Sequence, residues 1–472
     1  MVAWVFLRLL ALIYLSAFAS LAVQVDGLLG GDGILPVRDF LESAFNQLGM
    51  SSYWQIPTVF WMDASDSALR LACYAGILAS VSVFLDFHAS IGLLACYALY
   101  LSLVSVGQVF TGYQWDAFLL ESGFLALFLR GGSPVTLWLF RFLLFRFMFM
   151  GGVVKLASGD PAWRQLTALD YHFETQPLPS PLAWHAHHLP EPMLQCFTAM
   201  VFFIELAVPF MVFMPRKFRL FAAFNFVVLQ TSIILTGNYN FFNLLTIALC
   251  VFLLDEADIA RLLGARLGWH IMPTVKTPSR AAHWVAGVYA GYVLIVCISW
   301  VWLSNTQQRP SQPVYAMMQF ASSLSLANPY GPFAVMTTER REIVLEGSND
   351  GQTWLAYPFN YKPGELNKPL RWNIPHQPRL DWQMWFAALG DIRQNPWFIR
   401  VFDKLGTGSP SVLALFESNP FPDHPPRYLR AALYRYTFTN AQDRNATGDI
   451  WRREFIGYYQ PAIDGSAIRY GR

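Results

Sequence analysis

The chain has 472 residues, 54% of them hydrophobic and only 14% charged, where about 25% charged is usual for soluble domains. Its formal charge of +2 gives no general attraction to nucleic acid, and a mean hydropathy of +0.34 excludes an ordinary soluble protein. Five cysteines, all in apolar runs, read as small hydrophobes rather than as disulfides or metal ligands.

Nine apolar segments are long enough, or nearly so, to cross a hydrocarbon core of about 30 Å at about 1.5 Å per residue. They cover roughly residues 2–25, 68–86, 89–108, 115–129, 134–157, 193–214, 218–236, 239–254 and 282–303. The first reads as an uncleaved span, because its apolar run is long and Arg8 lies inside it. Lys and Arg in the short loops set the expected orientation. A cytoplasmic N-terminus puts Arg130, then Arg216, Lys217 and Arg219, then Arg261, Arg266, Lys276 and Arg280 on the cytoplasmic side. Loops 26–67 and 158–192 then lie outside, and so does everything after the last span. Removing the weakest span, 115–129, would move the later basic clusters to the wrong face.

From about residue 310 prolines, glycines and charges recur and no run is long enough to span. The segment 341–345, followed by Asp350-Gly351, reads as strand and turn. Residues 380–389 and 397–405 have helical apolar spacing, and 430–439 alternates like a strand. The expected fold is an α-helical multi-pass membrane bundle of about nine spans (1–303), followed by a β-rich soluble domain with inserted helices (304–472).

Ionisable residues inside spans are expensive, at about 2.5–3.5 kcal/mol each on insertion scales, and usually face the bundle interior in pairs. Spans four and five form a hairpin about Gly131-Gly132, and equal depth matches Glu121 with Arg141 and Asp116 with Arg146. Lys155 follows two glycines near a span end; it either snorkels to the headgroups or, desolvated, acts as a base. His172 and Glu174 follow within the loop, then His185, His187 and His188, whose spacing matches no known metal motif, so no metal is expected. Glu205 precedes Pro209 by four residues, so the helix should bend there, and the buried carboxylate beside the kink either lines a cavity or is one more structural partner for an arginine. The turn 236–243, with three asparagines, caps helix ends and is assigned no chemistry. No nucleophile elbow, phosphate-binding loop or paired-cysteine motif is found, and no cofactor is implied. Asn445-Ala446-Thr447 is a glycosylation sequon, meaningful in a eukaryotic secretory lumen.

Long collinear blocks carry a resemblance. They include GYQWDAFLLESGFLALFL (112–129), RFMFMGGVVKLASGD (146–160), WRQLTALDYHFETQPLPSPLAWHAHHLP (163–190), LTGNYNFFNLLTI (235–247), NPYGPFAVMTTERREIVLEGSNDGQTW (328–354), PRLDWQMWFAAL (378–389) and GDIWRREFIGYYQP (448–461). They resemble the lipase maturation factor family. The resemblance implies a multi-pass membrane protein, of the endoplasmic reticulum in eukaryotes, that assists folding of secreted lipases as a chaperone rather than an enzyme. The closing residues IRYGR hold no reticulum-retention signal, and the expected setting is the endoplasmic reticulum membrane if the source is eukaryotic and the cytoplasmic (inner) membrane if it is bacterial. The expected partners are membrane lipid and an exported client, held by exposed aromatics among which Trp163, Trp184, Trp354, Trp382 and Trp385 are the candidates. A shorter stretch, GVVKL with Asp160 and Trp163, is similar to the membrane domain of vitamin K-dependent gamma-glutamyl carboxylase. That likeness implies the alternative, an intramembrane enzyme with Lys155 as base and His172 and Glu174 nearby.

Overall fold

A computed structural model describes residues 1–263 and 279–464; Arg266, Lys276 and the closing IRYGR lie outside the described residues. The chain begins with α1 (Val2–Ala22), followed by a loop carrying α2 (Val37–Leu48), then α3 (Asp66–Phe84), α4 (Ala89–Val106), the short α5 (Gln114–Ala126) and α6 (Pro134–Ala157). Two small helices, α7 (Ala168–Thr175) and α8 (Ala183–His187), precede α9 (Glu191–Phe213), α10 (Arg216–Thr236), α11 (Phe242–Leu253) and α12 (Arg280–Thr306). Beyond them come α13 (Gln312–Ser323), β1 (Arg340–Ser348), β2 (Leu355–Ala356), α14 (Arg379–Ala388), α15 (Trp397–Thr407), β3 (Tyr428–Phe438), α16 (Ala441–Thr447) and β4 (Trp451–Asp464).

Seven helices among the described residues are long and apolar enough to cross a membrane: α1, α3, α4, α6, α9, α10 and α12. The expected count of about nine is slightly more than these seven. Segments 115–129 and 239–254 form the shorter α5 and α11, of 13 residues and of 12, yet the chain still passes from one end of the bundle to the other through them: Arg130, just after α5, pairs with Asp86 in the α3–α4 turn, and Glu256, just after α11, pairs with the Met1 amine at the start of α1. Both are cut short by Gly- and Asn-bearing turns, at Leu129–Gly132 and Gly237–Phe241.

Local chemistry accounts for the helix ends. Ser65 caps α3 through the Ala68 N–H, Pro134 opens α6 at a position that needs no donor, and Ser279 caps α12. Pro209 removes an N–H inside α9. The helix widens to a π-turn over Phe203–Ala207 and tightens to 3-10 over Val208–Phe213, which is the expected bend. Close packing fixes Gly123 of α5, since a Cβ there would sit 1.9 Å from the Tyr14 hydroxyl of α1.

The C-terminal part carries one antiparallel sheet in the order β2-β1-β3-β4, with Asp350-Gly351 at the β1–β2 turn and Gly351 at φ +74. The expected helices and the strand at 430–439 are present as α14, α15 and β3. One hydrophobic cluster runs from Phe6, Tyr14 and Phe18 of α1 through Phe118 and Phe147 to Trp382, Phe398 and Leu429, so the two parts of the chain share a core.

The charges of α5 bind them together and overturn the expected pairing. Asp116 meets Arg379 of α14 in a bidentate pair, at 2.8 and 2.9 Å, and both side chains are fully buried. Tyr100 also donates to Asp116, and Arg379 donates to the Phe110 carbonyl at 2.6 Å. Glu121 pairs with Arg146, not with Arg141, and takes three further hydrogen bonds: from the Tyr330 hydroxyl at 2.7 Å and from the Asn328 backbone and side-chain amides, each at 3.0 Å. Arg141 instead donates to the Phe252 carbonyl at 2.9 Å. Equal depth in a hairpin said nothing of segments that return from beyond residue 325, and those segments took the carboxylates.

Removing one partner of a buried ion pair leaves an uncompensated charge, at about 3–5 kcal/mol. Arg379→Met and Asp116→Ala are each expected to lower the apparent melting temperature of the detergent-solubilised protein strongly. The double variant should lose clearly less than the two losses added together, and additive losses would show that the pair is not coupled.

Candidate functional site

The segment 158–190 lies between the helices and the sheet. Asp160 accepts the Ala162 N–H and opens a single helical turn at Pro161–Arg164; its other oxygen accepts the Met336 N–H. Thr175 and Gln176 end α7, and Ser180 bonds the Leu235 carbonyl of α10 at 2.6 Å, tying the loop to the bundle.

Lys155, on the last turn of α6, does not snorkel outward. It is 3% exposed, and its ammonium sits 2.7 and 2.9 Å from the two oxygens of Glu205 and 3.2 Å from the Gly151 carbonyl. The π-turn of α9 presents Glu205, and Gly152 allows the approach, since a Cβ there would meet Leu206 at 2.7 Å. The indole of Trp163 covers the amine at 5.3 Å. A cavity of about 50 Å³ adjoins this pair, lined also by Gln230, Asn243, Tyr239 and Phe333. That is room for a water molecule or two. Asn243 donates to Gln230 at 2.6 Å, while its own buried carbonyl oxygen has no protein partner.

His172 and Glu174 do not join Lys155 there. The His172 ring lies beside Phe333, at 5.4 Å between centroids, and Tyr239, at 6.5 Å, and both of these line the Lys155 cavity. Burial, with a smaller contribution from the Lys155 charge, lowers its pKa from 6.5 to about 4, so the ring is neutral. Glu174 faces the sheet, where it accepts the Phe438 N–H at 2.7 Å; burial holds its pKa above the usual value. The sequence reading missed Arg340, the residue that fixes this corner. Fully buried, it donates to the carbonyls of Glu174, Gln176 and Pro177 and pairs with Glu342, which Lys362 meets at 2.8 Å. An arginine at the start of a strand gives no local sign that it will be buried.

The tryptophans expected on an exposed face are mostly inside. Trp163, Trp184, Trp382 and Trp385 are buried. Trp163 donates its indole N–H to Phe333, Trp184 to Thr439 and Trp385 to Thr175, each to a backbone carbonyl at 2.8–2.9 Å. They brace the loop against later segments. Trp354 alone is half-exposed, with the Arg430 guanidinium 4.0 Å over its ring. Asn238 is a brace as well: it bonds the Arg371 carbonyl and accepts the Asn373 N–H, while Asn240 caps α11 through the Phe242 N–H.

A second, larger cavity of about 520 Å³ opens between α9 and α10 under the roof of α7 and α8. Phe173, Leu189, Met200, Ile204 and Leu229 line it, with His172 and His185 at the roof; Ile233 also borders the Lys155 cavity. Such a volume suits an apolar ligand or side-chain cluster. Among the described residues no group of three or more His, Cys, Asp or Glu is placed to hold a metal ion.

The neutral His172 gives a pH signature. The unfolded chain protonates this residue near 6.5 and the folded one only near 4, so stability falls as pH drops through that window. At about 1.4 kcal/mol per pH unit the full loss is of order 3 kcal/mol. His172→Phe is expected to flatten the fall in apparent melting temperature between pH 6.5 and 4.5; an unchanged slope would count against the buried neutral ring.

Comparison with known proteins accords with this architecture. The pattern described as the lipase maturation factor transmembrane domain matches residues 1–261, and that of the lipase maturation factor C-terminal domain matches residues 326–461. The chain is 34% identical to rat lipase maturation factor 2, across 97% of this chain and 82% of the relative. Identity to the human lipase maturation factor 2 is also 34%, with the same coverage, and to bovine lipase maturation factor 1 it is 33%, across 98% and 89%. No solved structure matches. With both patterns matched in order and the likeness running through nearly the whole chain, this multi-pass membrane protein belongs to the lipase maturation factor family.

Proposed function

We propose that the protein is a membrane chaperone that assists maturation of exported lipases or related exported proteins, acting on the extracytoplasmic side. The observation that carries the reading is the near full-length likeness to proteins named lipase maturation factors. In this reading the C-terminal part and loop 158–192 face the compartment where exported proteins fold. That is the lumen of the endoplasmic reticulum in a eukaryote, or the outer face of the inner membrane in a bacterium. The cavity under α7 and α8 is the client-contact candidate, taking an apolar segment of an incompletely folded chain. The buried tryptophans then serve by holding the roof in place.

The test is co-expression of an exported lipase with the wild-type protein, with none, and with Leu229→Trp, which fills the cavity. Secreted activity per lipase molecule is expected to rise several-fold with wild type and to fall back with the variant at equal membrane abundance. Equal activity in all three arms would end the reading for that client.

The engagement of Lys155 by both oxygens of Glu205 supports a structural part for this amine over that of a free base. Lys155→Arg keeps the charge and removes the tunable amine. Maturation activity is expected to survive it, whereas Lys155→Met should destabilise the protein by stranding Glu205. Lost activity in a well-folded Lys155→Arg protein would favour the intramembrane-enzyme alternative.

A further inference from the structure

The loop between α1 and α3 carries a surface that the proposed client site does not use. From Ser43 to Met62 there is no charged residue, although Glu42 and Asp63 flank the stretch on either side. Phe60 and Ala44 of this stretch are buried, but many of its large apolar side chains point outward. Met50 is 73% exposed, Trp54 80% and Met62 92%, and Phe45, Leu48, Tyr53 and Val59 are exposed as well. Soluble surfaces rarely gather so many large apolar groups in one place.

The placement says what faces them. Thr58 donates to the Ser102 carbonyl of α4 at 3.1 Å, and the Val59 N–H donates to the Ser102 hydroxyl at 3.2 Å. Ser102 lies four residues before Val106, the end of α4, so the loop is pinned about 6 Å below that end. There it overhangs α4 and borders an open groove of about 600 Å³ between Tyr53, Val59 and Met62 above and Leu94, Ala98 and Leu101 of the helix below. Leu94 and Ile91 are exposed on a helix long and apolar enough to span, so that flank of α4 faces acyl chains. The groove is continuous with it. On its other side α2 buries Val37, Leu41 and Ala44 against the protein and leaves Phe45 and Leu48 outward.

We propose that residues 43–62 form a membrane-dipping loop: the bilayer leaflet nearest the end of α4 is the occupant of this surface, with Trp54, Met50 and Met62 in the interfacial zone and lipid chains filling the space over α4. Trp and Tyr favour that depth, and a stretch without charges avoids the cost of desolvating ions there, while its exposed Asn46, Gln47 and Gln55 can keep hydrogen bonds at the headgroup level. A soluble protein partner would cover the tip of the loop but not the groove on the flank of a spanning helix.

The test uses the full chain in vesicles of phosphatidylcholine and phosphatidylglycerol, in a background with Cys196→Ser and Cys297→Ser. A nitroxide is placed at Trp54→Cys, at Met62→Cys or, as a control on the exposed β1–β2 turn, at Gln352→Cys. Collisions with oxygen should exceed those with a water-soluble nickel chelate at 54 and 62, and the order should reverse at 352. A nickel-accessible profile at 54 and 62 like that at 352 would overturn the proposal. Protection from both reagents would overturn it too, by showing a protein contact, either a client or a second copy of this chain.

Discussion

Two carboxylates on one short helix hold this protein together. Asp116 and Glu121 lie on α5, fully desolvated, and neither is answered by the neighbouring stretch of chain alone. Asp116 finds Arg379, more than 250 residues away, and Glu121 shares Arg146 with Asn328 and Tyr330. A buried carboxylate is tolerated only when its partners are complete. The helical bundle is therefore finished by segments that follow its last span, and the shared core from Phe6 to Leu429 is the packing counterpart of the same dependence.

The segment between α6 and α9 is held in the same manner. Arg340 gathers three of its carbonyls, Glu174 reaches the end of β3, and three indoles donate across to distant backbone. The result is a roof braced by hydrogen bonds over an apolar cavity, where a loose connection would have been enough to join two spans. Such bracing matters for a binding surface, because a preformed cavity needs little ordering when it is filled. The Lys155–Glu205 pair beneath that roof is locked from both helices, and its neighbour His172 is kept neutral by burial.

Among the described residues, the apolar surfaces of this membrane protein include helix flanks on the spanning helices, a roofed cavity at the helix ends, and the uncharged loop after α1. The family to which the chain belongs is named for the maturation of lipases. Cavity and loop lie on different elements, the cavity between α9 and α10 and the loop against α4, so each is open to separate change.

Composition and hydropathy were enough for the sequence to declare a multi-pass helical protein with a strand-bearing C-terminal part, because spanning length and alternation are local properties. The bend at Pro209, the Asp350-Gly351 turn and the helices at 380–389 and 397–405 were legible for the same reason. Partnership was not. The sequence identified Asp116, Glu121, Arg141 and Arg146 as charges needing answers, yet the choice of Arg379 for Asp116 came from the return of a distant segment. Likewise the tryptophans of the loop were visible as unusual, but whether an indole faces solvent or braces a carbonyl depends on what packs over it. Local chemistry determined which residues demand partners; only the tertiary structure decided which partners they have, since burial is a property of the whole chain's path.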